Sequence, residues 1–145
     1  MPVFKRSARP FPLKASDIMS SPPVVLDEDA TVDDACKVMW ENGVGSVLIV
    51  NKEKKLVGII TERDVLYAAS HLILGRDVKA KSLMSKNLVT AWPEDEIASV
   101  VEKMKDFNIR HIPVVDSQGV PLGVISSRDL LDFGVRLFSL FMRSG

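Results

Sequence analysis

The stretch GIITERDVL, from Gly58 to Leu66, is nearly repeated by GVISSRDLL, from Gly123 to Leu131. In each copy a glycine and two branched apolar residues are followed by a hydroxyl-bearing residue, one further residue and then Arg-Asp. The first half of each copy has the composition of a buried strand, and the second half has the polar residues that begin a helix. Two strand-to-helix junctions of the same composition indicate a duplicated unit.

The duplication extends well beyond these two stretches. Asp64 aligns with Asp129 at an offset of 65 residues, and no gap is needed to align the rest. Other pairs at the same offset are Met19 and Met84, Met39 and Met104, and Val50 and Val115. Because a solenoid usually needs three or more repeats, two copies predict a closed pair in which each copy buries the apolar face of the other.

Each copy is predicted to have the order β-α-β-β-α, because a short extended piece is followed by a helical apolar periodicity, then by two short apolar runs joined by a polar turn, and then by a second helix. The fold class is therefore mixed α/β (α+β), and the glycine-rich GxGxxG and P-loop motifs of nucleotide folds are absent. The predicted elements are Pro23–Leu26, Val32–Glu41, Ser46–Val50, Leu56–Ile60 and Arg63 towards Leu74, then Leu88–Thr90, Glu96–Phe107, Ile112–Val115, Leu122–Ile125 and a helix from Arg128 onward.

The predicted organisation is a basic leader (1–14), a first repeat (15–75), a second repeat (80–133) and an extension of the last helix (134–145). The extension carries an apolar stripe that is too short to cross a bilayer. It is expected to pack on its own domain or on a twin subunit. The stripe consists of Leu130, Gly134, Leu137, Phe138 and Phe141.

Composition excludes several classes of function. Nineteen basic residues balance nineteen acidic ones, so the chain lacks the positive field of a non-specific nucleic-acid binder. With two histidines, the single Cys36 and no metal-ligand or nucleophile motif, no enzyme is expected. Neither a signal peptide nor a membrane span is apparent, so a cytoplasmic location without membrane association is expected.

The repeated motif has one purely structural interpretation. Thr61 and Asp64, like Ser126 and Asp129, have the spacing of a capping box at the start of a helix. In a capping box the hydroxyl accepts a hydrogen bond from a backbone amide, and the acid complements the helix dipole. This interpretation accounts for either copy taken alone.

A ligand-binding interpretation accounts for more of the motif. Gly58 and Gly123 precede the hydroxyl by three residues, which a cap does not require, and allow close approach of backbone or ligand. A carboxylate can accept hydrogen bonds from two adjacent hydroxyls, and a helix N-terminus offers amides to an anion. Together these groups suit the sugar and phosphate of a ribonucleotide.

The motifs closely resemble those of a pair of CBS domains, or Bateman module, over about Ala15 to Phe133. The resemblance rests on Asp17-Ile-Met-Ser20, Ser82-Leu-Met-Ser85, the run from Ile109 to Asp116 and the two Arg-Asp endings. It implies two pseudo-symmetric repeats packed sheet to sheet, which act as a regulatory module without catalysis. It further implies that AMP, ADP, ATP or S-adenosylmethionine binds in clefts between the repeats, that no cofactor is required, and that the module forms a disk-shaped homodimer regulating another protein.

By this resemblance Asp64 and Asp129 accept the ribose hydroxyls, and each cleft borrows residues from the other repeat. Arg63 and Arg128 either reach phosphates or pair with surface acids. The Asp64 cleft is expected to use Ser85–Thr90 and Ile109–His111, and the Asp129 cleft Ser20–Val25 and Val44–Ser46. All candidate ligand-binding residues are Val25, Val44, Ser46, Gly58, Ile59, Thr61, Arg63, Asp64, Thr90, Ile109, Arg110, His111, Gly123, Val124, Ser126, Arg128 and Asp129.

The copies differ where the second has Arg110-His111 and the first has Gly45-Ser46. If the borrowing rule holds, the Asp64 cleft gains a permanent cation and therefore prefers phosphorylated adenosine. The Asp129 cleft is then expected to bind more weakly, to be less selective for anions, or to be empty.

Two other functions stay open: a structural pairing module with empty clefts, and a nucleic-acid-binding regulator.

Overall fold

The computed structural model describes residues 13–143, so the leader lies outside the described residues except for Leu13 and Lys14. The helices are α1 (Ala15–Ile18), α2 (Val32–Asn42), α3 (Glu62–Ser70), α4 (Ala80–Leu83), α5 (Ile97–Phe107) and α6 (Ser127–Arg143). The strands are β1 (Val25–Asp27), β2 (Ser46–Val50), β3 (Leu56–Thr61), β4 (His111–Val115) and β5 (Pro121–Ser126). The predicted mixed α/β fold is confirmed.

The strands form one small sheet in each repeat. In the first repeat β1 runs parallel to β2, and β2 pairs antiparallel with β3. In the second repeat β4 and β5 form an antiparallel hairpin. The extended piece Leu88–Thr90 forms no strand, and Ala91 makes only an isolated parallel bridge to Val114. The complete β-α-β-β-α order is therefore present in the first repeat alone.

Two four-residue helices, α1 and α4, are exchanged between the repeats: each packs in the core of the repeat to which it does not belong in sequence. Ala15 of α1 is fully buried in the core of the second repeat, beside Ile112 and Ile125. Ala80 of α4 is fully buried in the core of the first repeat, beside Ile60. The start of each repeat therefore completes the hydrophobic core of the other, which joins the two into one folding unit.

Backbone hydrogen bonds strengthen this exchange just after each short helix. Ser20 and Val124 bond to each other through both amides, at N···O distances of 2.9 and 3.1 Å. Ile59 and Ser85 form the equivalent pair, at 3.1 and 2.9 Å. Each chain segment that follows a short helix thus lies against the last strand of the other repeat.

The central strands are buried on both faces. All five residues of β2 are buried, and in β4 only His111 is partly exposed. Side chains on the two faces of a strand alternate, so Val47 and Ile49 point to the helices of their own repeat while Leu48 points the opposite way. Burial of Leu48 is what packing of the two sheets on each other predicts.

Helix α6 runs unbroken from Ser127 to Arg143, through the predicted C-terminal extension. Leu130 packs against the core of the second repeat, whereas Leu131, Val135 and Phe138 are exposed. No residue of α6 is fully buried. Within residues 13–143 no helix combines the length and the apolar character that crossing a bilayer requires.

Candidate functional site

A cleft of about 990 Å³ lies at the junction of the two repeats. This volume is at the upper end of the range of about 300–1,000 Å³ that is typical of small-molecule sites. We call it the Asp129 cleft. The first repeat contributes Ser20, Pro22, Pro23, Val24, Cys36, Met39, Trp40, Gly43, Val44, Gly45, Ser46, Glu62 and Val65, and the second contributes Arg110, His111, Val124, Ser126, Ser127, Arg128, Asp129 and Asp132.

Asp129 is held at the start of α6 by reciprocal hydrogen bonds with Ser126. The Ser126 amide and hydroxyl both donate to Asp129 Oδ2, at 2.8 and 2.9 Å. The Asp129 amide donates to Ser126 Oγ at 3.1 Å. This arrangement is a capping box, and it fixes the orientation of the carboxylate through one of its two oxygens.

The other oxygen of Asp129 faces the first repeat. Ser20 Oγ donates a hydrogen bond of 3.2 Å to Asp129 Oδ1. Ser20 is positioned there by its two backbone bonds to Val124. The hydroxyl of Ser21 also crosses between the repeats, to the Leu122 carbonyl at 2.9 Å. Asp129 is thus the point where a side chain of one repeat is bonded to the first segment of the other.

Asp64 is arranged similarly at the start of α3, with fewer partners. The Thr61 amide donates to Asp64 Oδ2 at 2.9 Å, and the Thr61 hydroxyl donates to the same oxygen at 3.3 Å. Among the described residues, nothing donates to Asp64 Oδ1. Capping and ligand binding are therefore compatible at both motifs, since the cap occupies one carboxylate oxygen in each case.

The motif glycines make room for methionines of the opposite repeat. A β-carbon on Gly58 would collide with the side chain of Met84, whose Sδ is the nearest atom. A β-carbon on Gly123 would lie 2.7 Å from Met19 Sδ and 2.8 Å from the Ser20 carbonyl oxygen. The close approach expected at these glycines therefore occurs, and the approaching groups belong to the exchanged segments.

The structure corrects the expected position of Arg110 and His111. Both residues line the Asp129 cleft of their own repeat, whereas the sequence predicted them for the Asp64 cleft. The β4–β5 hairpin is the reason, because its register pairs His111 directly with Ser126. The Ser127 amide also donates to the Arg110 carbonyl at 2.9 Å. The permanent cation therefore belongs to the cleft that was expected to lack it.

His111 faces the first repeat across Gly45. Its Cε1 lies 2.9 Å from the point that a β-carbon on Gly45 would occupy. Burial lowers the pKa of His111 below its ordinary value of 6.5. The nearby carboxylates of Glu62 and Asp129 act in the opposite direction, and Arg110 reinforces the lowering. A neutral imidazole is thus favoured in the cleft.

Several lining residues were missed from the sequence. Helix α2 contributes Cys36, Met39 and Trp40 to the lining of the cleft. The sequence predicted an amphipathic helix here and assigned it no ligand-binding residue. The thiol pKa of Cys36 is raised by burial and, second, by Asp33. Trp40 is 88% exposed, and its position outside the apolar stripe of α2 was the available signal.

Other predicted site residues lie away from this cleft. Val25 is exposed on β1, and Ile59 is buried next to Ser85. Ile109 packs on the core of the second repeat, and the Thr90 carbonyl accepts a hydrogen bond from Lys103 Nζ at 2.9 Å. Of the predicted site residues, those that line the Asp129 cleft are Val44, Ser46, Arg110, His111, Val124, Ser126, Arg128 and Asp129. Those that do not line it are Val25, Gly58, Ile59, Thr61, Arg63, Asp64, Thr90, Ile109 and Gly123.

The charged side chains of the cleft are of both signs. Residues 13–143 contain no cluster of three or more His, Cys, Asp or Glu side chains that could hold a metal ion. The lining of the cleft instead combines Arg110 and Arg128 with the carboxylates of Glu62, Asp129 and Asp132. Such a mixture can bind a polar organic ligand through charge-assisted hydrogen bonds.

A longer enzyme contains a similar segment. This chain is 32% identical over 114 residues to homoserine O-acetyltransferase from Methanococcus vannielii. The match covers 79% of this chain but only 23% of that protein. The chain thus spans about a quarter of the relative's length. The name of the longer protein describes its own acetyltransferase activity.

Solved structures and the family comparison agree on the fold. A CBS domain protein from Pyrobaculum aerophilum complexed with AMP has a TM-score of 0.75 and 33% identity, covering 81% of this chain and 89% of that one. A CBS domain pair in complex with 5′-methylthioadenosine and S-adenosyl-L-methionine has a TM-score of 0.75 and 29% identity, covering 87% and 95%. The pairs themselves are typically regulatory rather than catalytic. Since the CBS domain matches residues 15–71 and again 80–136, this chain belongs to the CBS domain family.

Proposed function

We propose that this chain is a regulatory module that binds an adenosyl ligand in the Asp129 cleft and transmits occupancy to another protein. The observation that carries the proposal is the hydrogen bond between Ser20 and Asp129, which joins the two repeats inside the cleft. A ligand bound to this carboxylate contacts both repeats at once. Its binding energy therefore depends on how the repeats are arranged.

The Asp129 carboxylate has the acceptor capacity that a ribose needs. Oδ2 is occupied by the capping box with Ser126, and Oδ1 accepts a single hydrogen bond from Ser20. Each carboxylate oxygen has two acceptor sites, so a ribose hydroxyl can donate to Asp129 while the cap stays intact. One acceptor site on Oδ1 is free, so we assign Asp129 as the acceptor of one ribose hydroxyl, and of the second where that hydroxyl replaces Ser20 on Oδ1.

The rest of the cleft provides an apolar region and a charged region. Val24, Met39 and Val65 offer apolar contacts for the adenine ring, and Trp40 lies at the same cleft with its side chain exposed. Arg110 supplies a guanidinium for an anionic 5′ substituent. An adenosyl ligand matches both regions, and the AMP, 5′-methylthioadenosine and S-adenosylmethionine complexes of similar CBS proteins support this class.

We assign the regulatory output to the relative position of the two repeats. The exchanged segments bond to the opposite repeat at Ser20–Val124 and at Ile59–Ser85. A ligand at Asp129 adds contacts to the first of these junctions and leaves the second unchanged. Occupancy then favours one arrangement over others only to the extent that the ligand binds that arrangement more tightly.

We further propose that two copies associate through α3 and α6. Leu66 on α3 and Leu131 on α6 occupy equivalent positions of the duplicated unit, and they are 70% and 67% exposed. Val135 and Phe138 extend the apolar surface along α6. An apolar surface that recurs on both repeats suits an isologous interface, in which a second copy presents the same surface.

The ligand proposal is tested by thermal unfolding with AMP, S-adenosylmethionine and 2′-deoxy-AMP, each added separately. A ligand at a hundred times its dissociation constant stabilises the folded state by about 2.7 kcal/mol. That stabilisation raises the melting temperature by several degrees in a domain of this size. A shift with AMP that is lost with 2′-deoxy-AMP supports the carboxylate–diol assignment. If no ligand causes a shift, both motifs are helix caps and the structural-module function takes precedence.

A further inference from the structure

Glu62 belongs to the first repeat but places its carboxylate in the Asp129 cleft. It is the first residue of α3, and its amide donates to the Gly45 carbonyl at 3.1 Å. Its Oε1 lies 2.7 Å from the point that a β-carbon on Gly45 would occupy. His111 Cε1 approaches the same point to 2.9 Å, so the carboxylate and the imidazole face each other across Gly45.

The fold gives Glu62 no charge partner. Within residues 13–143, no ion pair or side-chain hydrogen bond of Glu62 is formed. An acidic residue in the first turn complements the dipole of α3, which is its structural role. The equivalent residue of the second repeat is the neutral Ser127, so a carboxylate is not required for this kind of helix start.

Glu62 changes the charge balance of the cleft where a 5′ substituent would lie. His111 pairs with Ser126, whose hydroxyl donates to Asp129, and its imidazole lies beside the Glu62 carboxylate at Gly45. Arg110, His111 and Glu62 line one region of the same cleft as Asp129, and this is where our inference places the 5′ side of a bound ribose. There the Arg110 guanidinium attracts a phosphate and the Glu62 carboxylate repels it.

We propose that Glu62 is a specificity-determining residue that favours adenosyl ligands with a cationic 5′ substituent, such as a sulfonium, over ligands with a phosphate. The inference rests on the proposed function of the Asp129 cleft. Without Glu62, the guanidinium groups of Arg110 and Arg128 would favour a phosphate in this cleft. The opposing carboxylate lowers that preference, and it provides an attractive partner for positive charge next to the ribose.

The test compares three ligands that differ at the 5′ position: AMP, 5′-methylthioadenosine and S-adenosylmethionine. The neutral thioether serves as the reference, since changes in ribose or adenine binding affect all three ligands alike. Titration calorimetry at about pH 8 keeps the imidazole neutral, because burial holds the His111 pKa below its ordinary value. The variants are Glu62→Gln and, as a control, Glu102→Gln on the exposed side of α5, outside the cleft.

In Glu62→Gln we expect the affinity for AMP to rise about tenfold and that for S-adenosylmethionine to fall about tenfold, relative to the thioether. Glu102→Gln should leave all three affinities unchanged. If wild type binds these ligands, and Glu62→Gln changes all three affinities by the same factor or leaves all three unchanged, the role of Glu62 is overturned. If wild type binds none of the three, the proposed function fails together with this inference.

Discussion

Ser20 and Asp129 are 109 positions apart along the chain, yet the Ser20 hydroxyl donates to the Asp129 carboxylate at 3.2 Å. The bond exists because the segment that follows α1 lies against β5 of the opposite repeat. A single carboxylate therefore caps its own helix, contacts the other repeat and lines the cleft.

Replacing Asp129 by Asn tests the assignment of the cleft. The variant weakens a charge-assisted acceptor, so we expect the affinity for AMP to fall by about tenfold or more. Asp64→Asn is the matched control, because it alters an equivalent capping box, and it should keep the wild-type affinity. Titration calorimetry measures both. Loss of AMP binding in Asp64→Asn alone would restore the original assignment of the phosphate site to the Asp64 cleft.

Replacing Gly123 by Ala tests the close packing of the exchanged segment. The new β-carbon would meet the Ser20 carbonyl at 2.8 Å, and backbone cannot move aside as a side chain can. We expect the free energy of unfolding to fall by about 1–3 kcal/mol, as measured by urea denaturation. Gly58→Ala should be destabilised as well, because Met84 Cβ, which cannot rotate away, would lie 2.9 Å from the new β-carbon.

Gly134→Ala is the control for the glycine substitutions. No heavy atom outside the immediate chain lies within 4 Å of its β-carbon position on α6. Alanine is favoured over glycine inside a helix by about 0.5–1 kcal/mol, so this variant should be slightly more stable than wild type. Equal destabilisation at Gly123 and Gly134 would contradict the packing explanation.

The pH dependence of stability tests the burial of His111. Its folded-state pKa is lowered below 6.5, so the unfolded chain binds a proton more readily. The free energy of unfolding should therefore decrease as the pH falls below about 6.5. His111→Asn should show a weaker decrease over that range, whereas His71→Asn, at an exposed position, should retain it. An unchanged pH profile in His111→Asn would show that the imidazole is not buried.

Trp40 provides an optical test of occupancy. The chain has two tryptophans, and Trp40 lines the Asp129 cleft whereas Trp92 does not. We expect AMP to change the fluorescence of Trp92→Phe, in which Trp40 is the only tryptophan. Trp40→Phe should respond weakly or not at all. The reverse pattern would place the ligand elsewhere.

Replacing Leu131 by Lys tests the proposed dimer. A charge in the centre of the shared apolar surface should weaken association, because the ammonium loses water on burial without a partner. Sedimentation velocity should then detect a shift from dimer to monomer. Phe107→Lys at the end of α5 is the control, since Phe107 is also exposed but lies on another helix. A monomeric wild type would contradict the dimer.

Local patterns in the sequence were sufficient for most of the fold. The helix α2 has a strong helical periodicity, and the hairpin β4–β5 consists of two short apolar runs joined by a polar turn, so both were predicted within a few residues. The motif around Asp129 was also recognisable, because the duplication made its recurrence visible. Each of these features depends on residues close together in the chain.

The exchange of α1 and α4 could not be predicted in the same way. A four-residue helix is too short to have a detectable periodicity, and its partners lie in the opposite repeat. The misplacement of Arg110 and His111 has a related cause, because the register of β4 with β5 decides which cleft they face. Glu62 was overlooked because a first-turn acid already has a structural explanation.

The exchange of short helices has a consequence for how such a protein could arise. The first CBS domain covers residues 15–71, but the core around Ile60 is completed by Ala80 from the second. A polypeptide carrying one copy would lack that helix, and it would have to obtain it from a second molecule. With both copies on one polypeptide, the exchange that single copies would have to make between molecules takes place within one chain.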